Sequence, residues 1–188
     1  SFGEFRSRLL SQELNTINGK IVKINKKSKL LEMISIGHRN PQGLTVDKKT
    51  DIIYSSEHGP KGGDEINIIN KKKTIQNFGW PIASYGEHYD NNKKDNSHLY
   101  KTAPLFKSHK NYGFIEPAKN FTPSIGISEL ILFNIFNQKT LMASSLGNDI
   151  DEGDMSLHIY LFDEEKLTNY KSITINERIR DMVYIEKK

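Results

Sequence analysis

Short segments in which apolar and polar residues alternate make up most of this 188-residue chain. They are separated by polar turns and occupy residues 19–27, 30–37, 43–57, 65–70, 127–134, 139–147, 157–165 and 170–177. Successive side chains of a strand point to opposite faces of a sheet, so this alternation is typical of half-buried strands. A longer helical pattern is confined to residues 3–14. Many short strands at regular spacing predict an all-β sandwich, barrel or propeller.

The length of the chain limits the number of propeller blades that it can supply. A blade of four strands takes about 40–50 residues, so a chain of 188 residues predicts about four blades. Residues 86–120 are polar and aromatic without periodicity, which predicts a long loop or insertion. Alternation returns at residues 178–188, where we expect a last strand. We therefore divide the chain into an N-terminal segment of unassigned role, residues 1–16, and a partial β-propeller, residues 17–188.

The composition excludes several classes of protein and of site. The chain has no cysteine, which excludes disulfides and thiolate metal sites, and no apolar run reaches the ~18 residues of a membrane-spanning helix. The net charge is +4, but the lysines form scattered short groups, which favours solvated loops over a nucleic-acid-binding face. The first residues lack a signal-peptide pattern and do not begin with Met, so we expect a processed or truncated form.

The first candidate site motif is GHRNPQGL, residues 37–44. It puts His38, Arg39 and Asn40 on a turn before a strand. The guanidinium group of Arg39 is a planar fork of donors suited to a carboxylate or a quinone oxygen, and the Asn40 amide can both donate and accept. The alternative is an ordinary turn, capped by Asn40 and Pro41, with Arg39 on the surface.

The second motif is EHGPKGGDE, residues 57–65, which has more glycines than a hairpin turn needs. Glycine lets the backbone approach a ligand closely, and the carbonyl oxygens of Gly59 and Pro60 are hard ligands suited to calcium. Asp64 and Glu65 are neighbours in the next strand, so their side chains are expected on opposite faces and cannot share one site. The alternative is an ordinary glycine loop with solvated charges.

The third motif is NERIRD, residues 176–181. In a strand, Arg178 and Arg180 would point to the same face. Two guanidinium groups on one face repel each other unless an anion lies between them, and a polycarboxylate ligand would serve. The alternative is a pair of arginines neutralised by the neighbouring Glu177 or Asp181.

In this order, GHRNPQGL, SSEHGPKGGDEIN, NFGWP and ERIRD resemble a family of soluble sugar dehydrogenases that depend on pyrroloquinoline quinone (PQQ). This is the glucose/sorbosone dehydrogenase family, in its aldose sugar dehydrogenase branch. The resemblance is strongest over residues 36–90, extends over 17–35 and 120–185, and leaves out 1–16. It implies a six-bladed β-propeller with the quinone above the central channel, of which this chain is the C-terminal part.

The resemblance also implies roles for individual residues. Those expected at the PQQ are Arg39, Asn40, His58, Asp64, Arg178 and Arg180, the last two as partners of the quinone's carboxylates. The carbonyl oxygens of Gly59 and Pro60 are expected to bind the calcium ion that touches the quinone. Glu65, with the backbone around Phe78, corresponds to a second calcium site, although the family has Tyr at the position of Phe78.

The reaction implied by the resemblance is the oxidation of an aldose sugar, in which a base takes a hydroxyl proton and a hydride passes to PQQ. The family's base is a histidine in a motif like His-Asn/Gln-Gly-Gly, and none of the six histidines lies in such a motif. We therefore expect a portion of the enzyme that is inactive alone, with its base upstream. The alternative is a non-catalytic propeller-like binding module derived from the same family.

The resemblance implies partners and a location as well. The expected ligand is an aldose sugar, and neither a nucleic acid nor a membrane span is expected. An incomplete ring has an open sheet edge, which invites pairing with a second copy or with the missing N-terminal blades. The expected location is periplasmic or secreted.

Overall fold

The computed structural model describes residues 1–89, 97–135, 137–147, 154–163 and 166–185. Its strands are β1 (Ile21–Ile24), β2 (Leu31–Ile36), β3 (Pro41–Asp47), β4 (Ile52–Glu57), β5 (Asp64–Asn70), β6 (Gln76–Asn77), β7 (Lys119–Phe121), β8 (Ile127–Ile135), β9 (Gln138–Ser145), β10 (Ser156–Asp163) and β11 (Lys166–Thr174). Its helices are a short α1 (Ser97–Thr102) and two 3₁₀ helices, Arg8–Gln12 and His109–Tyr112. No helix in the described ranges is long and apolar enough to cross a membrane.

The strands form three sheets that follow one another along the chain. The first has the order β1-β2-β6, the second β3-β4-β5-β7, and the third β11-β10-β9-β8. The second and third are antiparallel four-stranded sheets, which is the blade architecture of a propeller. The all-β class predicted from the alternation, and the propeller that the family resemblance implies, are therefore confirmed.

Both faces of the second sheet are covered, which gives the chain two apolar cores. Ile53 and Tyr54 are neighbours on β4, so they point to opposite faces. Ile53 packs in a core toward the first sheet with Phe78, whereas Tyr54 packs in a core toward the third sheet with Leu130 and Tyr160. Fully burying side chains of this size stabilises the fold by about 1.5–3 kcal/mol each, so the second sheet is held between its neighbours.

The N-terminal residues pack against the long connection between β6 and β7. The ammonium group of the buried Lys20 donates to the carbonyl oxygens of Leu10 and Ser11, each at 2.9 Å. The hydroxyl of Ser11 in turn donates to the carbonyl oxygen of Trp80 at 2.5 Å. Residues 1–16, whose role the sequence leaves unassigned, are thus hydrogen-bonded to the corner that follows β6.

Two sequence expectations differ from the structure. Residues 178–185 form no strand, so the prediction that the two arginines share one face of a strand is wrong. Apolar-polar alternation at the end of a chain does not make a strand unless a neighbouring strand pairs with it. The described residues also form three sheets, against the predicted four blades, because most of residues 78–118 form connections and short helices.

Candidate functional site

The glycine-rich turn between β4 and β5 is fixed by Asp64, which is 2% exposed. One carboxylate oxygen accepts the backbone N–H of Gly59 at 3.1 Å. The other accepts the N–H groups of Ile125 and Ile127, at 3.2 and 3.0 Å. Asp64 therefore joins the turn to the start of β8 by accepting hydrogen bonds from three backbone N–H groups.

The turn is packed too tightly for side chains at two of its glycines. A Cβ atom on Gly59 would lie 2.2 Å from the carbonyl oxygen of Gly63, and one on Gly63 would lie 2.2 Å from the backbone nitrogen of Gly86. Gly63 also has φ of +73°, which is a left-handed conformation that favours glycine. Among the backbone–backbone hydrogen bonds of loops and turns in the described ranges, none is accepted by the carbonyl oxygen of Gly59 or Pro60.

Arg39 is held above the aromatic side chains that border the turn. One of its guanidinium nitrogens donates to the carbonyl oxygen of His58 at 2.9 Å. The guanidinium carbon lies 5.4 Å from the ring centre of Trp80 and 5.9 Å from that of Tyr89, within cation–π range. This preorganises Arg39, since three neighbours restrict a side chain that would otherwise be flexible.

An open cleft of about 360 Å³ lies beside the turn, which is within the range of small-molecule sites. Its lining includes His58, Gly59, Pro60, Asp64, Tyr89 and Arg178. The Nε2 atom of His58 is buried and has no hydrogen-bond partner in the described part of the chain. A buried polar atom without a partner is costly, so this atom is a natural contact for a ligand.

Several of the residues expected at a cofactor do not line this cleft. Arg39 adjoins it through the His58 carbonyl oxygen, and Asn40 lies with Arg39 on a neighbouring cleft of about 250 Å³ formed with residues 3–6. Arg180 is exposed and belongs to neither cleft. The structure thus brings the second motif and Arg178 together, and leaves Arg180 outside.

Two glutamates lie side by side on the second sheet, on the face opposite to that of Asp64. Glu57 on β4 pairs in register with Glu65 on β5, and both are buried. Asn67 donates to Glu57 at 2.7 Å and approaches Glu65 at 3.4 Å. Because Asp64 reaches the third sheet and Glu65 does not, the prediction that these neighbours lie on opposite faces is confirmed.

The two glutamates have different environments and therefore opposite pKa shifts. Burial raises the pKa of the Glu65 carboxyl well above its usual value, and the charge of Glu57 raises it further. Burial alone would also raise the pKa of Glu57, but His38 at 3.1 Å and the backbone N–H of Arg39 at 2.7 Å hold it below its usual value. Glu57 is the better stabilised anion of the pair.

His109 faces Glu65 from the connection between β6 and β7. It is buried, and its Nδ1 lies 3.0 Å from the carbonyl oxygen of Phe78. Its Nε2 lies 3.4 Å from a Glu65 carboxylate oxygen. Glu57, Glu65, Phe78 and His109 share a small cavity of about 10 Å³. No sequence pattern pointed to this histidine, because it comes from the aperiodic stretch.

A scan against family models matches residues 1–186 to the glucose/sorbosone dehydrogenase model. The chain belongs to this family. The match includes residues 1–16, which the motifs alone leave out. Membership confirms the resemblance inferred from the motif order, and the family is one of sugar-oxidising enzymes.

Individual relatives agree with this membership. The chain is 35% identical over 102 residues to aldose sugar dehydrogenase YliI of Escherichia coli, covering 47% of this chain and 27% of the relative. It is 32% identical over 92 residues to quinoprotein glucose dehydrogenase B of Acinetobacter calcoaceticus, covering 43% and 18% respectively. The structure superposes on the soluble aldose sugar dehydrogenase of E. coli with a TM-score of 0.70 and 27% identity, covering 95% of this chain and 52% of that one. The chain spans about half of that solved structure and less than a third of these two curated relatives.

Proposed function

We propose that this chain is the cofactor-binding portion of an aldose sugar dehydrogenase that uses PQQ and calcium. The observation that carries the proposal is the 360 Å³ cleft, in which the EHGP turn, Tyr89 and Arg178 meet although they are far apart in sequence. Family membership supports a sugar as the substrate class. The name of the Acinetobacter relative, a quinoprotein, supports a quinone cofactor.

The residues around the cleft fit a quinone and one calcium ion. The Nε2 atom of His58 is buried without a partner in the described ranges, and the carbonyl oxygens of Gly59 and Pro60 are hard ligands for calcium. The glycines of the turn pack against the backbone of Gly63 and Gly86, which fixes the conformation that presents these carbonyl oxygens. Arg178 supplies a cation for a carboxylate at the edge of the cleft.

Each part of the chain contributes positioning and charge. When bound, PQQ accepts the electrons of sugar oxidation, and calcium acts as a Lewis acid. Arg39 is held beside the cleft by the carbonyl oxygen of His58 and by two aromatic rings, where its guanidinium group would donate to a quinone oxygen, with Asn40 as its neighbour in the chain. Asp64 keeps the Gly59–Pro60 turn in place against β8. The proton of the sugar hydroxyl is taken by a base that we assign to a part of the enzyme outside these residues.

Partner and location follow the same proposal. The ring is completed by further blades or by a second copy, which would cover the exposed side chains of β11 and of the C-terminal residues Val183 and Ile185. We place the enzyme in the periplasm or outside the cell, by resemblance to the family.

Calorimetric titration of PQQ into the purified protein, with and without calcium, tests the proposal. We expect calcium-dependent binding that weakens at least tenfold when Arg178→Ala and Arg180→Ala are combined. Lys26→Ala with Lys27→Ala removes the same charge from an exposed turn and is the matched control. Equal binding by the arginine variant would show that the arginines have no role.

Absence of binding at millimolar PQQ would contradict a cofactor site in this chain. The non-catalytic binding module would then be the better description.

A further inference from the structure

The side chain of His109 occupies the junction at which the family resemblance puts a second calcium ion. That ion is expected between the Glu65 carboxylate and the backbone around Phe78. In the structure, His109 Nδ1 lies 3.0 Å from the Phe78 carbonyl oxygen, and Nε2 lies 3.4 Å from Glu65. The imidazole ring therefore lies between the two groups that the ion would join.

The donor atoms left at this junction do not suit calcium. Calcium takes six to eight oxygen ligands, but the Phe78 carbonyl oxygen already accepts the His109 N–H, and Asn67 approaches the second oxygen of Glu65 at 3.4 Å. The cavity of about 10 Å³ has room for about one water molecule. In the part of the chain that the structure describes, no group of three or more histidine or acidic side chains is arranged to hold a metal.

The imidazole ring is held firmly in this position. Tyr85 stacks on it with ring centres 5.4 Å apart and planes 13° from parallel. The backbone carbonyl of His109 accepts the N–H of Phe114 at 3.1 Å. Because Nδ1 lies at hydrogen-bonding distance from a carbonyl oxygen, Nδ1 must carry a proton, so the direction of the Phe78 contact is fixed.

We propose that His109 takes the place of the second calcium ion of the family, with its ring between Glu65 of the second sheet and the backbone of Phe78. The ring fills the position of the metal, and its Nδ1–H holds the corner after β6 through the Phe78 carbonyl oxygen. The same corner carries Trp80, whose ring lies 5.4 Å from the Arg39 guanidinium carbon. The proposal concerns only this junction and does not depend on PQQ binding.

Thermal unfolding of the purified protein in EDTA and in calcium tests the replacement. We expect the calcium-induced shift in Tm to be the same in the parent and in Glu65→Gln, because Glu65 binds no ion. A rise in the parent Tm that is lost in Glu65→Gln would overturn the proposal. Zinc, which readily binds imidazole nitrogen, is the second probe. A zinc-induced rise in the parent Tm that is lost in His109→Gln would also overturn the proposal.

A second variant tests the contribution of the histidine itself. His109→Gln removes the ring that fills the junction and stacks on Tyr85, and we expect a fall in Tm of about 5 °C or more. His98→Gln changes an exposed histidine of α1 and is the matched control, with no expected shift. A His109→Gln Tm equal to that of the parent would contradict the proposed role of the ring. If His109→Gln does not fold, the metal comparison on the parent and Glu65→Gln decides.

Discussion

Replacing Asp64 by asparagine should destabilise the fold far more than its single lost charge suggests. The carboxylate accepts backbone N–H groups from Gly59 on the turn and from Ile125 and Ile127 at the start of β8. Asparagine has one carbonyl oxygen and one NH₂ group. Whichever way the amide is turned, an N–H donor of the side chain faces an N–H donor of the backbone.

The size of the effect follows from these three bonds. A hydrogen bond to a charged group contributes about 1.5–3 kcal/mol, and a buried donor left unpaired costs about 1–3 kcal/mol. The amide introduced by Asp64→Asn can keep either the Gly59 bond or the two bonds from β8, so one or two are lost. We expect a fall of about 2–5 kcal/mol in the free energy of unfolding, and a Tm lower by about 5–15 °C for a chain of this size.

Urea denaturation followed by tryptophan fluorescence measures this change. The chain has one tryptophan, and Trp80 is buried beside the turn, so its emission reports the loss of this region. Asp51→Asn is the matched control, because Asp51 forms a solvent-accessible ion pair with Lys71 at 2.8 Å, and such pairs contribute little to the free energy of unfolding. A cost for Asp64→Asn no larger than that of the control would refute the structural role of Asp64.

Two further predictions concern buried or partly buried charges. The hydrogen bond from Lys139 is the main cause that lowers the pKa of Asp47 from 3.8 to about 2. A carboxyl group whose pKa is lowered by folding stabilises the fold at pH values above its pKa in the unfolded chain. The difference in free energy of unfolding between the parent and Asp47→Asn, about 1 kcal/mol at pH 7, should therefore shrink between about pH 4 and pH 2. A difference that is independent of pH would contradict the pairing of Asp47 with Lys139. Lys20→Met should lower the free energy of unfolding by about 2–4 kcal/mol in the same urea assay, because the carbonyl oxygens of Leu10 and Ser11 lose their donor. Lys26→Met changes an exposed lysine and is the control. Equal stability of the two variants would mean that water replaces the ammonium group.

The strands were predictable because their signal is local. Alternation of side chains is a property of a few consecutive residues, and each predicted strand from residue 19 to residue 174 is present in the structure. Residues 178–185 have the same alternation without a strand. Their backbone is held instead by side chains of the third sheet, since the Ser128 hydroxyl donates to the Ile179 carbonyl oxygen at 2.5 Å. The sequence pattern cannot show whether a partner strand is available.

The glycine-rich turn beside the cleft was recognisable for a different reason. Glycines that pack against a backbone, and a Gly-Pro turn before a pair of acids, are recognisable without knowing what they contact. The separate tasks of the two acids follow from strand geometry alone, and the structure agrees, with Asp64 bound to β8 and Glu65 turned to the other face. That Asp64 accepts three backbone donors was not predictable, because two of those donors lie more than 60 residues away.

The buried junction at Glu65 shows where a motif stops being informative. The motif supplies the carboxyl group, but the side chain that faces it is His109, which lies 44 residues further along in a stretch without periodicity. Burial raises the pKa of the Glu65 carboxyl and lowers the pKa of the His109 imidazole, so the uncharged forms of both groups are favoured and their contact needs no metal ion. Retention of the glutamate therefore does not imply retention of the metal, and the group that occupies the junction has to be read from the loop that reaches it.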